Sequence, residues 1–477
     1  MPAYRHLSSV VLGLALYQSV AAQSAPAQPD EDTPMLSRVE VVGSRIRRVD
    51  VETSQPVFVL EREQLERTGL DSVGDILQDL TAHGAALNTT VNNGGDGTTR
   101  VDLRNLGDQR TLVLVDGRRW ITGIDGAVDL NSIPLSIIER IEVLKDGASA
   151  IYGSDAIAGV VNITTRADYA GFEANGRVGE FAQGDGRVEA WDATLGSSSE
   201  RASVALNIAY LKQEPIFAGA REISAVPVFG VPGNDINAGS SPITPFGLFG
   251  FGAQGACPYN PSGNYPANGR CPIADGRPPT LNRSTFDPAT NSYRLLDLAR
   301  DGYNFAAENY LQTPQERTSL FARGRYELGG TTTFDFDLLY NERRSAQELA
   351  PVPLQVSAFA PGVARVVVPA SHVYNPFGQP VTAVRFRPGG FVRRFGQDAD
   401  TLRIAAGFKG SLDLAGRTWF WDVDSVLADY EIATLAEGLL DPTRLASALG
   451  PSFRDAAGVA RCGTPAAVID GCVPLDP

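Results

Sequence analysis

Polar and apolar residues alternate, position by position, through several segments of the chain's second half. In 202–210, Val204, Leu206, Ile208 and Tyr210 share one face, with Ser203 and Asn207 opposite. In 318–328, Leu320, Ala322, Tyr326 and Leu328 oppose Ser319, Arg323, Arg325 and Glu327. Phe334, Phe336, Leu338 and Tyr340 alternate with Asp335, Asp337, Leu339 and Asn341. Leu402, Ile404, Ala406, Phe408, Leu412 and Leu414 do so with Arg403, Lys409, Ser411 and Asp413. Successive side chains of an extended strand point to opposite faces, so a period of two predicts strands with one apolar and one polar face. Residues 172–180 and 188–196 predict two more, the second with Trp191, Ala193 and Leu195 on one face, and Trp419, Trp421 and Val423 open a seventh. No soluble sheet needs charges on one face of so many strands, whereas strands between lipid and a polar lumen do.

The first half reads differently. Arg5 and His6 precede an apolar run from Leu7 to Val20, and Val20-Ala21-Ala22 offers small residues for cleavage, so residues 1–22 read as a secretory signal. Residues 23–54 form a periplasmic linker, rich in Pro, Ala and acid over 23–35 and then carrying Leu36-Ser37-Arg38-Val39-Glu40-Val41-Val42-Gly43. Val39, Val41 and Val42 favour an extended strand, either the first strand of the next domain or one that pairs with another protein's sheet edge. Residues 55–166 predict a compact domain. Strands are expected over 57–60, 100–104, 111–115, 140–145 and 159–165, with helical spacing over 63–67 and 72–80 and a helical turn over 134–138.

Four blocks of this domain carry a resemblance. They are Arg104-Asn105-Leu106-Gly107; Leu112-Val113-Leu114-Val115-Asp116-Gly117-Arg118; Ile138-Glu139-Arg140-Ile141-Glu142-Val143-Leu144-Lys145-Asp146-Gly147; and the stretch from Ala150-Ile151-Tyr152-Gly153 to Val160-Val161-Asn162-Ile163. In this order and spacing they closely resemble the plug domain of TonB-dependent outer-membrane receptors. The resemblance implies an α+β plug domain at 55–166, followed over 167–477 by antiparallel transmembrane β-barrel strands, about seven of an expected 22. It places Leu36–Gly43 where that family carries its TonB box. A chain leaving a periplasmic plug runs outward on its first barrel strand, so connections after strands two, four and six should be short. They are expected at 197–200, 329–330 and 415–417, and long external loops at 211–317 and 341–400. Seven strands do not close a barrel, and Pro477 is unlike the terminal aromatic residue usual in the family, so the chain reads as a fragment that would not transport alone.

The resemblance further implies gated import of a scarce solute, an iron–siderophore, cobalamin, a carbohydrate or similar. The partners would be TonB, with ExbB and ExbD, and an extracellular small-molecule ligand, in a bacterial outer-membrane protein expected to be a monomer with no cofactor. Similar receptors turn the plug loops matching 92–99 and 118–126 outward, so Arg119, Trp120 and Asp125 are expected ligand contacts, or else plug packing. Arg104, Glu139 and Arg140 match positions that resemble the family's plug-to-wall salt bridges.

Charge and chemistry narrow the alternatives. The chain has 477 residues, with 55 Asp and Glu against 41 Lys and Arg and a formal charge of −14, unlike a nucleic-acid binder that must neutralise phosphates. Three histidines, His6, His83 and His372, make no His-based metal site, one lying in the signal segment. Gly94-Gly95-Asp96-Gly97 lacks the Gly-Lys-Ser/Thr of a phosphate loop, and Gly153-Ser154-Asp155 is no nucleophile elbow. Asp335 and Asp337 share a strand face at i, i+2 and read as lumen wall, not as an acid–base pair. An enzyme is therefore not expected, and a binding module without transport remains the alternative. The four cysteines, Cys257, Cys271, Cys462 and Cys472, fall in the first and last long loops. In an exported chain they favour two local disulfides, Cys257–Cys271 and Cys462–Cys472, among three possible pairings.

Overall fold

A computed structural model of the chain describes residues 57–229, 237–238, 240–250, 284–287, 289, 292–329, 331–357, 366–375, 378 and 380–476. The segment expected to be a TonB box, and Cys257 and Cys271, lie outside the described residues.

The plug comprises strand β1 (Val57–Glu61), helices α1 (Arg62–Thr68) and α2 (Val73–Gln78), and strands β2 (Thr111–Val115), β3 (Arg118–Arg119), β4 (Ile138–Leu144) and β5 (Gly159–Thr165). Its sheet runs β1-β4-β5-β2-β3, with β2 and β5 parallel and the other neighbours antiparallel. Local chemistry sets the breaks. The Ser72 side chain caps α2 by accepting from Gly74 N, and Gly69, at φ 67, ends α1 in the left-handed region. Asp116 and Gly117, at φ 51 and 77, make the tight turn between β2 and β3 that a two-residue hairpin needs. Residues 100–104, expected as a strand, contribute only a bridge between Leu103 and His83. Positive φ at Arg104 and Asn105 turns the backbone away before a ladder can form.

The remaining long strands build one seven-stranded antiparallel meander. They are β6 (Gly171–Gly179), β7 (Val188–Ser198), β8 (Ala202–Gln213), β9 (Gln315–Gly329), β10 (Thr332–Leu349), β11 (Arg393–Leu414) and β12 (Arg417–Glu437). All seven expected strands are present, and the connections after β7, β9 and β11 are two or three residues long. Strands β10 and β11 run farther than the apolar alternation, because their ladder continues through polar pairs such as Arg344↔Asp398 and Ser345↔Gln397.

This sheet, hereafter the wall, has its faces reversed relative to a soluble sheet. Leu206, Ile208, Leu320, Phe336, Ile404, Phe408 and Leu412 are exposed, while Asn207, Ser319, Asp335, Asp337, Asn341, Arg343 and Arg403 are buried. The buried polar face is the one against the plug. Two wall residues, Phe321 and Leu339, even join the plug's core around Leu77, Leu130, Ile133 and Ile141. A separate core beyond the long-loop end of the wall gathers Phe249 from the connection after β8, Val384 and Phe386 from that after β10, and Leu445 and Leu449 from the chain after β12. The three connections thus fold on one another.

Candidate functional site

The site is the interface between plug and wall, and it is built from charges. The β2–β3 hairpin carries Asp116 and Arg118 out of the plug core on its turn. Arg118 is paired with Asp335 and Asp337 of β10 and, through Nε at 2.7 Å, with Asp424 of β12. Gly407 of β11 makes this reach possible, since a Cβ there would overlap both Asp424 and the Arg118 guanidinium. Around the same carboxylates, Lys409 lies 3.1 Å from Asp335, and Arg403 pairs with Asp337. Asp116 accepts from Arg323 of β9 at 2.8 Å.

Toward the long-loop end, Asp129 pairs with Arg343 of β10 at 3.0 Å while also accepting from the amides of Thr99 and Asn131. Arg317 of β9 donates to the Asp71 carbonyl at 2.6 Å and to Asn131 Oδ1 at 3.3 Å. Asn92 exchanges two hydrogen bonds with the Glu348 backbone, fastening the loop 92–99 to the end of β10. Within that loop region, Arg100 gathers Asp96, Asp108 and Asp125 at 2.6, 3.0 and 2.6 Å. Burial opposes ionisation of Asp96, but hydrogen bonds from Thr98 and the charge of Arg100 outweigh it and hold its carboxyl below the ordinary value. Asp71 and Asp75 go the other way: burial raises both, only partly offset by Arg177 and Arg317 for Asp71 and by Arg317 for Asp75.

On the other side of the plug the fit is looser. Between α1, with the turn after it, and strands β6 to β9 lies a cavity of about 450 Å³, lined by groups including Arg62, Asp71, Glu173, Arg177, Asp192 and Tyr210. One flank of the plug is therefore closed by a dense set of ion pairs, whereas on the other the pairs Arg177–Asp71 and Arg62–Glu173 border open volume.

The sequence-expected residues fall in different places. Trp120, expected at a ligand surface, is 4 % exposed: its Nε1 donates to Ser132 Oγ at 2.9 Å and the Arg403 guanidinium covers its ring at 4.7 Å. Its place is in the plug core, because the backbone after the β2–β3 turn brings Trp120 N back onto Val113 O. Arg119 is half exposed and bound to Asp155 and the Tyr152 carbonyl, beside Arg118 and toward the short-turn end of the wall, away from the loop 92–99. Asp125 lies in the Arg100 cluster. The three do not converge.

The expected plug-to-wall set also shifts. Arg104 hydrogen-bonds the Ile157 and Ala158 carbonyls and lies 3.8 Å from Asp146, Arg140 pairs with Glu142 at 2.9 Å, and Glu139 is exposed, so the contacts of Arg104 and Arg140 stay inside the plug. The crossing pairs use Asp116, Arg118 and Asp129, with Arg177 to Asp71 at 2.7 Å on the cavity side. A signal for them existed in the sequence: Asp116 and Arg118 flank a turn directly after the apolar run 111–115, and the polar strand faces carry unmatched charges. Cys462 and Cys472 are joined by a disulfide, with Cα atoms 5.8 Å apart.

A plug with a charged rim is thus seated against the polar face of a seven-stranded antiparallel sheet whose back is apolar. Residues 50–160 match the family model described as the TonB-dependent Receptor Plug Domain. That stretch belongs to the TonB-dependent receptor plug domains, and the antiparallel wall strands follow it in the chain. Solved structures similar to it include the siderophore receptor PirA from Acinetobacter baumannii, at 15% identity and TM-score 0.37, covering 79% of this chain and 48% of that one. BauA, the ferric preacinetobactin receptor from the same organism, is similar at 11% identity and TM-score 0.40, covering 81% and 48%. The ferric-catecholate import receptor Fiu from E. coli K12 is similar at 13% identity and TM-score 0.37, covering 80% and 50%. The chain spans about half the length of each.

Proposed function

We propose that the chain supplies the plug and seven wall strands of an outer-membrane transporter that imports a scarce solute by energised displacement of the plug. The observation that carries this reading is the reversal of the wall's faces: an exposed apolar back suited to lipid, and a buried charged front against which the plug sits. A plug seated chiefly through ion pairs and hydrogen bonds, with Phe321 and Leu339 as apolar wall contacts to its core, can be withdrawn into water because the polar groups it leaves can be hydrated, whereas a wholly apolar seat would resist. The segment from Leu36 to Gly43 is the proposed TonB box. It would add as a strand to TonB, energised through ExbB and ExbD, and backbone hydrogen bonds along the strand would bear the pull.

Deleting residues 36–43 from the receptor in its own host tests this reading. Solute binding at the cell surface should persist and uptake should vanish. Uptake that survives the deletion overturns the box assignment. Recovery of the protein as soluble periplasmic material, with no need of detergent, overturns the membrane reading and favours a binding module without transport.

A further inference from the structure

Among the arginines that three adjacent wall strands turn toward the plug, four are met by groups of the plug itself. Arg317 and Arg343 are cross-strand neighbours, Arg403 stands at the level of Leu339, and Arg323 opposite Asp337. Counting residues along β10 from 343 to 339 to 337, the four span about 20 Å of the lumen from the long-loop end inward. Their plug partners are specific: Asp129 on Arg343, Asp116 on Arg323, the Asp71 carbonyl and Asn131 on Arg317, and the Trp120 ring on Arg403. Arg343 and Arg403 are 1 % and 0 % exposed. The Nε and Nη2 of Arg403 find no acceptor among the described residues, so this buried guanidinium presents unused donors toward the plug.

Withdrawal of the plug changes this balance in a definite direction. Arg317, Arg323 and Arg343 would lose their plug partners. Asp335 and Asp337 would lose Arg118 but keep Lys409 and Arg403 on the wall itself, whereas Asp424 on β12, at the edge of the wall, would also lose Arg118. On the neighbouring strands Glu173, Asp192 and Arg177 also face the plug side, so the excess of positive charge is concentrated on β9 to β11. A guanidinium fork is the side chain best matched to carboxylate and phosphate oxygens, and rings or rows of arginine make a pore anion-selective.

We propose that Arg317, Arg343, Arg403 and Arg323 form an anion track along the wall, filled by plug groups in the closed state and offered to an anionic solute when the plug is withdrawn. The plug carboxylates Asp129 and Asp116 then stand where a passing carboxylate, phosphate or comparable oxyanion would dwell. Several sites in series, each of moderate strength, allow a solute to leave as readily as it enters. The inference rests on the proposed displacement of the plug, and it names the charge class of the solute.

The test is electrical and uses the intact receptor in planar bilayers, with urea added to displace the plug reversibly. Under a potassium chloride gradient the reversal potential reports chloride against potassium permeability, without any inner-membrane partner. The opened native receptor should favour chloride. Replacing the three arginines that lose plug partners, as Arg317→Gln, Arg323→Gln and Arg343→Gln together, should lower the permeability ratio by about threefold or more, since the focusing charge is gone. The corresponding Lys variants keep the charge and should keep the selectivity, which separates an electrostatic track from a merely structural role. Cation selectivity in the opened native receptor, or a ratio unchanged in the triple Gln variant, overturns the track. Because the opening is chemical, loss of the TonB reading would leave this result standing, and loss of the track would leave the TonB reading standing.

Discussion

Replacing Phe336 by arginine probes which face of the wall meets lipid. Phe336 lies near the middle of the apolar stretch of β10 that runs from Phe334 to Tyr340, and its side chain is on the exposed face. Its ring lies over the bare backbone of Gly324 on β9, where a Cβ would overlap it, so the aromatic also covers a glycine that has no side chain of its own to pack. On the proposed membrane reading, an arginine here would place a cation on the lipid face, at a cost of about 2–4 kcal/mol at the bilayer midplane. That is about thirty- to a thousandfold in the folding equilibrium. The control is Lys409→Arg, one residue from Phe408 but on the opposite face and already 3.1 Å from Asp335, where the charge is kept and the change should stay within about 0.5 kcal/mol. An arginine at Asp337 is no substitute for that control. Strand polarity alone would call the position tolerant, yet the new cation would sit between Arg118 and Arg403. The fraction of heat-modifiable folded barrel on gels, with a urea midpoint for each variant in bilayers, reads the difference. Equal loss for Phe336→Arg and Lys409→Arg, or greater loss for Lys409→Arg, would refute the assignment of faces, since a register slip of one residue exchanges every side chain between them.

Asp129→Ala should loosen the plug by about 3–5 kcal/mol, because it strands the buried Arg343 and also removes the acceptor for the Thr99 and Asn131 amides. The urea midpoint of plug release, followed at Trp120, would fall, and an unmoved midpoint would contradict the role given to this pair. Cys462→Ser opens a loop with a sequence separation of 10 and should destabilise the segment after β12 by about 2–3 kcal/mol. Protease sensitivity confined to residues 440–476 would report it, and native-like resistance would count against the staple. His372 hydrogen-bonds the Ala448 carbonyl, and burial, only partly offset by that bond and by Asp476, lowers its pKa from 6.5. The unfolded loop therefore takes up the proton first, so the shared loop core is fully stable above pH 6.5 and loses stability as pH falls from there toward the lowered value. The protection of the Leu475 and Val373 amides against hydrogen exchange, relative to their intrinsic rates at each pH, should fall across that window in the native chain but not in His372→Gln, and an identical profile in both would exclude the histidine as the cause.

Alternation with a period of two was enough to locate all seven wall strands and, for all but the first, to assign an apolar face, because a strand's side chains take their direction from the backbone alone. The plug's helices and most of its strands were legible for the same reason: capping at Ser72, the Asp116-Gly117 turn and the apolar run of β2 act over a few residues. The run 100–104 misled because its composition suits a strand, while the positive φ at Arg104 and Asn105 follows from how the neighbouring chain packs.

The charges resisted local reading. Arg118 finds Asp337 across 219 residues and Asp424 across 306, so no spacing in the sequence announces the pair. Only the register of β9 to β12 against the β2–β3 hairpin brings them within reach. The same holds for Trp120, whose neighbours in the chain, Arg119 and Ile121, do not reveal whether its ring meets solvent or Arg403. Local sequence therefore determined which segments extend and which face of each is apolar. Tertiary structure alone decided which charges face one another, because an ion pair is set by distance in space, and the wall's charges line up only once its strands are in register.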